Sequence, residues 1–173
     1  VLASNGHDVT IWTKIEQEAK ELQENRKSLK KLPQAVLPDD VKITLDLEEA
    51  CTDKDLIVMS VASPYIRQTA HDASPFIKNG QKLVNVAKGI EDKTLMTLSE
   101  VIKNEIPQAD VAVLSGPSHA EEVSRCVPTT VVVGAETSET ARFIQDIFMN
   151  EVFRVYTSPD IIGIELGGSL KNV

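Results

Sequence analysis

Very little in this chain points to a metal, a disulfide framework, a membrane or a nucleic acid. Cysteine occurs twice, at Cys51 and Cys126, and histidine three times, at His7, His71 and His119, all widely dispersed. No metal-ligand spacing can be drawn from them, and two distant thiols suit buried free cysteines of a reducing cytosol. A cytoplasmic location is therefore expected. The formal net charge is −8 and no basic run interrupts it, which excludes nucleic acid and anionic membrane surfaces as partners. Scattered Lys and Arg still allow a local basic pocket for a small anion. No apolar run approaches the length of a transmembrane helix, so no membrane insertion is expected, and no secretion signal is visible. Internal repeats, low-complexity tracts and linkers are absent, and 173 residues suffice for one domain with a sizeable core.

What is present is a beat of short strands and helices. Asp8 to Trp12 is a short strand after an Asn5-Gly6 helix stop. Ile15, Ala19 and Leu22 recur at helical spacing, and Pro33 and Pro38 mark a loop. Val41 to Thr44 predicts a second strand, with Asp46 and Glu49 as a capping box for the helix after it. Leu56 to Val61 is apolar throughout, as a strand buried on both faces should be, and Ser63-Pro64 starts a helix with Ser as cap. Lys82 to Val86 is a strand ending at Ala87-Lys88-Gly89, and Leu95, Leu98, Val101, Ile102 and Ile106 stripe the next helix. Asp110 to Leu114, Thr129 to Gly134 and Val152 to Tyr156 complete the strands. Ala141, Ile144 and Phe148 mark one more helix, and Ser158-Pro159 opens a last one.

Strands alternating with helices imply an α/β fold with a doubly wound, mostly parallel sheet. Ligands of such sheets sit past the carboxyl ends of the strands. Three of those ends carry suggestive residues: Thr13-Lys14, Ala87-Lys88-Gly89 and Ser115-Gly116-Pro117-Ser118. In the third, Gly116 permits an unusual backbone angle, Pro117 fixes a turn, and Ser118 with Glu121 fits a capping box. Backbone amides delivered to a helix N-terminus suit an anion. An ordinary loop capped by Ser118 explains the same signals, and the stretch alone does not decide.

Three longer motifs add to this reading: Asn85 to Glu91, Leu114 to Glu122, and Glu165-Leu166-Gly167-Gly168-Ser169-Leu170-Lys171-Asn172-Val173. Together they make the chain resemble the bacterial NAD(P)-dependent sn-glycerol-3-phosphate dehydrogenase family. Asn5 to Val9, Trp12, Pro128-Thr129-Thr130, Phe153 to Tyr156 and Asp160 to Gly163 match it as well. The resemblance implies a partial Rossmann-like nucleotide-binding domain over 1–157 and the start of a helical catalytic domain over 158–173. The opening strand and its glycine-rich turn are not in the sequence. A sheet incomplete at its first strand is therefore expected, with a gap between neighbours. The chain is expected to be part of a longer enzyme and to be inactive alone.

The resemblance also distributes roles. Lys171 is the expected proton-transfer residue, also at the substrate; in isolation it would read as a solvated helix lysine. Lys88 is expected against both cofactor and substrate, as the cation that lowers the Lys171 pKa. Gly116 and Ser118 match substrate-binding positions, and Ala120 a cofactor contact. His119 stands where many relatives carry Phe, so it is not expected to act as a base. Lys14 matches a cofactor position, and no acid follows Trp12, so NADP is expected to be preferred over NAD. The implied reaction is reversible hydride transfer between NAD(P)H and dihydroxyacetone phosphate, giving sn-glycerol 3-phosphate for phospholipid synthesis. A different β-hydroxyacid dehydrogenase and a non-catalytic nucleotide-binding module are the alternatives. A homodimer is compatible with all three readings, and the sequence does not choose.

Overall fold

The computed structural model describes residues 1–170. Among these described residues, seven strands form two separate pieces. β1 (Thr10–Trp12) pairs in parallel with β2 (Lys42–Thr44). The larger sheet has the order β3 (Ile57–Met59), β4 (Lys82–Asn85), β5 (Asp110–Ser115), β6 (Thr129–Gly134) and β7 (Phe153–Ser158). All pairings are parallel except β5 with β6. The expected interruption is there. β1 and β3 are not hydrogen-bonded to one another, and a cleft of about 670 Å³ lies between Val9–Trp12 and Leu56–Val61.

Side-chain alternation along the strands builds a core on each face of the larger sheet. Leu83 and Val111 point to one side, packing with Ile66, Ala70, Leu98, Val101, Ile102 and Ile106 of α3 (Ile66–Ala73), α4 (Leu98–Glu105) and the residue after it. Their neighbours Val84 and Ala112 point to the other, against Ile144 and Phe148 of α6 (Ser138–Phe148). Leu83, Val84, Ile102 and Ile144 are all completely buried. Each such side chain contributes roughly 1.5–3 kcal/mol from burial, which is why the apolar runs fix these strands. Smaller helices α1 (Glu16–Asn25) and α2 (Leu47–Cys51) follow β1 and β2, and α5 (Ala120–Ser124) joins β5 to β6.

Several local expectations need correction. Leu95 is outside α4, exposed, with a left-handed φ of 59°. The helix starts later because Thr97 and Glu100 close a capping box there. Asp46 does cap α2, accepting from the amides of Glu48 and Glu49, but the Glu49 carboxylate accepts from the Thr44 hydroxyl and does not return to Asp46. Ser63 is the first residue of a short 3-10 turn and caps nothing; Pro64 still sits in its first turn. Cys51 is buried as expected, whereas Cys126 is exposed, in a loop held at a φ of 57°.

The antiparallel step decides where the last helix goes. β6 runs back from the carboxyl end of β5, and β7 runs beside it. The chain therefore leaves β7 away from that end, and α7 (Ile161–Leu170) returns toward it across β5 and β6. Gly134 meets Ile161 and Ile164 early in α7, Ser115 meets Gly168, and the Gly89 amide donates to the Ser169 hydroxyl at 3.1 Å. A mostly parallel sheet thus brings its last helix home to the ligand edge.

Candidate functional site at the carboxyl ends of β4 and β5

β4 and β5 are parallel neighbours, with Asn85 beside Val113, so the turns that follow them emerge side by side. The first is Ala87-Lys88-Gly89. Asn85, completely buried, shapes it: its side-chain oxygen accepts from the Ala87 amide at 3.1 Å, and its side-chain nitrogen donates to the Ala87 carbonyl at 3.1 Å. Gly89 then takes a φ of 138°, which a side chain would resist. The second turn is Gly116-Pro117-Ser118. The two meet through Lys88, whose ammonium donates to the Ser118 carbonyl at 2.9 Å and to its hydroxyl at 3.2 Å.

Two expectations about this second turn change. Gly116 does not occupy the left-handed region; a Cβ on it would lie 2.8 Å from the Thr130 carbonyl and 3.0 Å from Val131 Cα. The glycine is there because β6 passes against it. Ser118 does not cap a helix. α5 begins two residues later, after His119, with no side-chain cap, and is only five residues long. Its dipole is correspondingly small, and among the described residues the positive charge at this turn comes from Lys88. Ala120 opens α5 and is exposed. Lys171 and Asn172 lie outside the described residues.

Lys14 stands apart from this pair, past the carboxyl end of β1, with its ammonium 3.8 Å from Asp72 of α3. The expectation of no acid at this strand end holds for the linear sequence only. α1 brings Glu18 back, where its carboxylate accepts from the Thr13 hydroxyl at 2.8 Å. Lys31 sits 2.7 Å from Glu18 and holds that carboxyl below its usual range. Nothing in the sequence pattern marks Glu18, because its return depends on where α1 begins.

The far end of the Lys88 turn is clamped. Arg67 of α3 grips both oxygens of Glu91, at 2.8 and 2.7 Å, and reaches Glu105 of α4 at 2.5 Å; His71 contacts the same Glu105. The Arg67 guanidinium, helped by the Thr94 hydroxyl, holds the Glu91 carboxyl down to about 2, and Arg67 also lowers Glu105. Both acids have folded-state values below the ordinary 4.5. Their stabilisation is complete above that pH and is lost as pH falls below it, for Glu91 toward about 2. Arg67→Ala should therefore lower Tm at neutral pH, with the gap from wild type closing between pH 4.5 and about 2. Melting curves across that range test it; a constant gap would show that the clamp does not act through these carboxylates.

Among the described residues no group of His, Cys, Asp and Glu could hold a metal ion, and no helix is long and apolar enough to cross a membrane. The model of the NAD-dependent glycerol-3-phosphate dehydrogenase N-terminus family matches residues 1–141. The chain is 58% identical over 173 residues to the glycerol-3-phosphate dehydrogenase [NAD(P)+] of Agathobacter rectalis, covering all of this chain and 52% of that protein. It is 42% identical to the enzyme of the same name from Bacillus subtilis, again covering all of this chain and 51% of the relative. Among solved structures, the glycerol-3-phosphate dehydrogenase of Coxiella burnetii superposes with a TM-score of 0.91 at 30% identity, over 99% of this chain and 52% of that one. The chain thus spans about half the length of the curated relatives it matches. It belongs to the NAD-dependent glycerol-3-phosphate dehydrogenase N-terminal family.

Proposed function

We propose that the enzyme carrying this chain interconverts dihydroxyacetone phosphate and sn-glycerol 3-phosphate with NAD(P)H, supplying phospholipid synthesis. The observation that carries this reading is the meeting of Lys88 with Ser118 at adjacent strand ends, beneath the end of α7. Three motifs distant in sequence converge there. Residues 1–157 form the nucleotide-binding part in this reading, and 158–173 begin the catalytic part.

The residues present fit a nicotinamide dinucleotide. Lys14 and Lys88 stand past the carboxyl ends of β1 and β4, where an open α/β sheet takes its ligand. Bound there, the nicotinamide supplies a hydride to the substrate carbonyl carbon. Lys88, held by Ser118, presents a fixed positive charge to an anionic substrate without having to be recruited from solvent. Gly116 and Ser118 form one wall of the substrate site, and Ala120 faces the cofactor. Lys171 gives the carbonyl oxygen its proton in reduction and takes it back in oxidation.

A substrate panel tests this reading. With NADPH, the intact enzyme should favour dihydroxyacetone phosphate over 3-oxo acids by at least about 10²-fold in kcat/KM. Preference for a 3-oxo acid would move it to the β-hydroxyacid dehydrogenases, and tight cofactor binding without turnover would make it a sensor. NADP preference rests on Lys14, since the acid at that strand end, Glu18, is already matched by Lys31. Lys14→Asp should raise the KM for NADPH more than about tenfold and that for NADH less than about threefold. Equal changes would remove Lys14 from cofactor choice.

A further inference from the structure

Glu165 is the one charged residue among the ten of α7, and it is buried, 6% exposed. A carboxylate placed there needs donors, and among the described residues neutral groups, not a cation, supply them. Its oxygens accept from the Ser99 amide at 2.9 Å and the Ser99 hydroxyl at 2.5 Å, and the Asn85 side-chain nitrogen approaches at 3.5 Å. Ser99 is the second residue of α4, so its amide is one of the unpaired donors of a helix start. The N-terminal end of that helix favours the negative charge. Glu165 therefore ties α7 to the first turn of α4.

The partners on the other side matter more. Asn85, within reach of Glu165, is the residue that shapes the Ala87-Lys88-Gly89 turn. One turn later in α7, the Ser169 hydroxyl accepts from the Gly89 amide and donates to the Glu165 carbonyl. Two contacts, four residues apart on one helix, thus grip the two ends of the turn that carries Lys88. Leu170 ends the described part of α7, and Lys171 is the next residue in sequence.

We propose that Glu165 is a positioning residue: bound to Ser99 and Asn85, it sets how the Lys88 turn and the end of α7 stand relative to one another. It touches neither substrate nor cofactor. It acts through Lys88 and Lys171, so the inference rests on the roles proposed for them above.

The test compares Glu165→Asp, Glu165→Gln and Lys171→Ala in the intact enzyme, with NADPH and dihydroxyacetone phosphate. Glutamine keeps the length, can accept from the Ser99 amide and can donate to the Ser99 hydroxyl. Aspartate keeps the charge but withdraws it by one methylene, and a misplacement of about 1 Å can cost about 10²-fold in rate. Glu165→Asp should therefore lower kcat about 30- to 100-fold with the NADPH KM within about threefold, while Glu165→Gln stays within about threefold in both. A folded Glu165→Asp enzyme with near-normal kcat would overturn the proposal. So would a Glu165→Gln enzyme as slow as Glu165→Asp, because holding the position would then not be enough without the negative charge. If the Asp variant does not fold, Ser99→Ala carries the test, with kcat expected about fivefold lower and unchanged kcat overturning the proposal. Lys171→Ala separates the two levels. Fast turnover in that variant sinks the underlying assignment, whereas slow turnover beside a fast Glu165→Asp sinks only the positioning role.

Discussion

Replacing Lys171 by Ala in the intact enzyme should lower kcat by about 10²- to 10⁴-fold, with the cofactor KM changed less than about threefold. Hydride arriving at a ketone carbon leaves negative charge on oxygen, and a positioned acid is worth about that much when it supplies the proton. A lysine does this only if its pKa is brought toward neutrality, by burial or by a second cation. Lys88 is that cation in the proposed site, and Ser118 keeps it at the strand end. Lys171→Arg sharpens the test. Arginine keeps the charge but does not release a proton near neutral pH, so it should be nearly as slow as Ala. An Arg variant close to wild type would show that residue 171 contributes charge alone, and a fast Ala variant would refute its role altogether.

The parts of this fold that were legible in the sequence are those fixed by local chemistry. Thr129 to Gly134 reads as a strand and is one, because alternation and two-sided burial both act within six residues. Lys88 and Ser118 were each legible as strand-end residues, and the parallel β4–β5 pairing makes them neighbours. What was not legible depends on distant partners. Ser118 looks like a helix cap until Lys88 takes its hydroxyl, and Gly116 looks like a turn glycine until β6 passes 2.8 Å from where its Cβ would be. Leu95 fits the helical stripe of α4, but the Thr97–Glu100 box starts the helix after it. Glu165 carried one signal, a lone charge in an apolar run; its donors lie on β4 and α4, 80 and 66 residues away.

The two adjacent glycines of α7 should respond in opposite ways to the same substitution, and the site depends on only one of them. In an isolated helix, Gly→Ala is stabilising by about 0.8–1.0 kcal/mol at either position. Among the described residues a Cβ on Gly167 would meet nothing within 4 Å, so Gly167→Ala should keep or raise Tm. A Cβ on Gly168 would run into the Ser115 side-chain oxygen, whose own atom has no hydrogen-bond partner among the described residues, and would also come 3.8 Å from Lys88 Cγ. Overpacking of this kind costs typically about 1–3 kcal/mol, which exceeds the gain in propensity. The helix cannot give way without moving the Lys88 turn, because Ser169 and Glu165 fasten α7 to it. Gly168→Ala should therefore lower kcat by about 10²-fold as well as lowering Tm. Ser115→Ala removes the obstructing oxygen and leaves only a Cβ, 3.4 Å from the new methyl group. Adding it to Gly168→Ala should recover at least about tenfold of the lost rate, a non-additive result that only neighbouring residues can give. If the double variant is as slow as Gly168→Ala alone, the close approach of α7 to β5 is not what the second glycine serves.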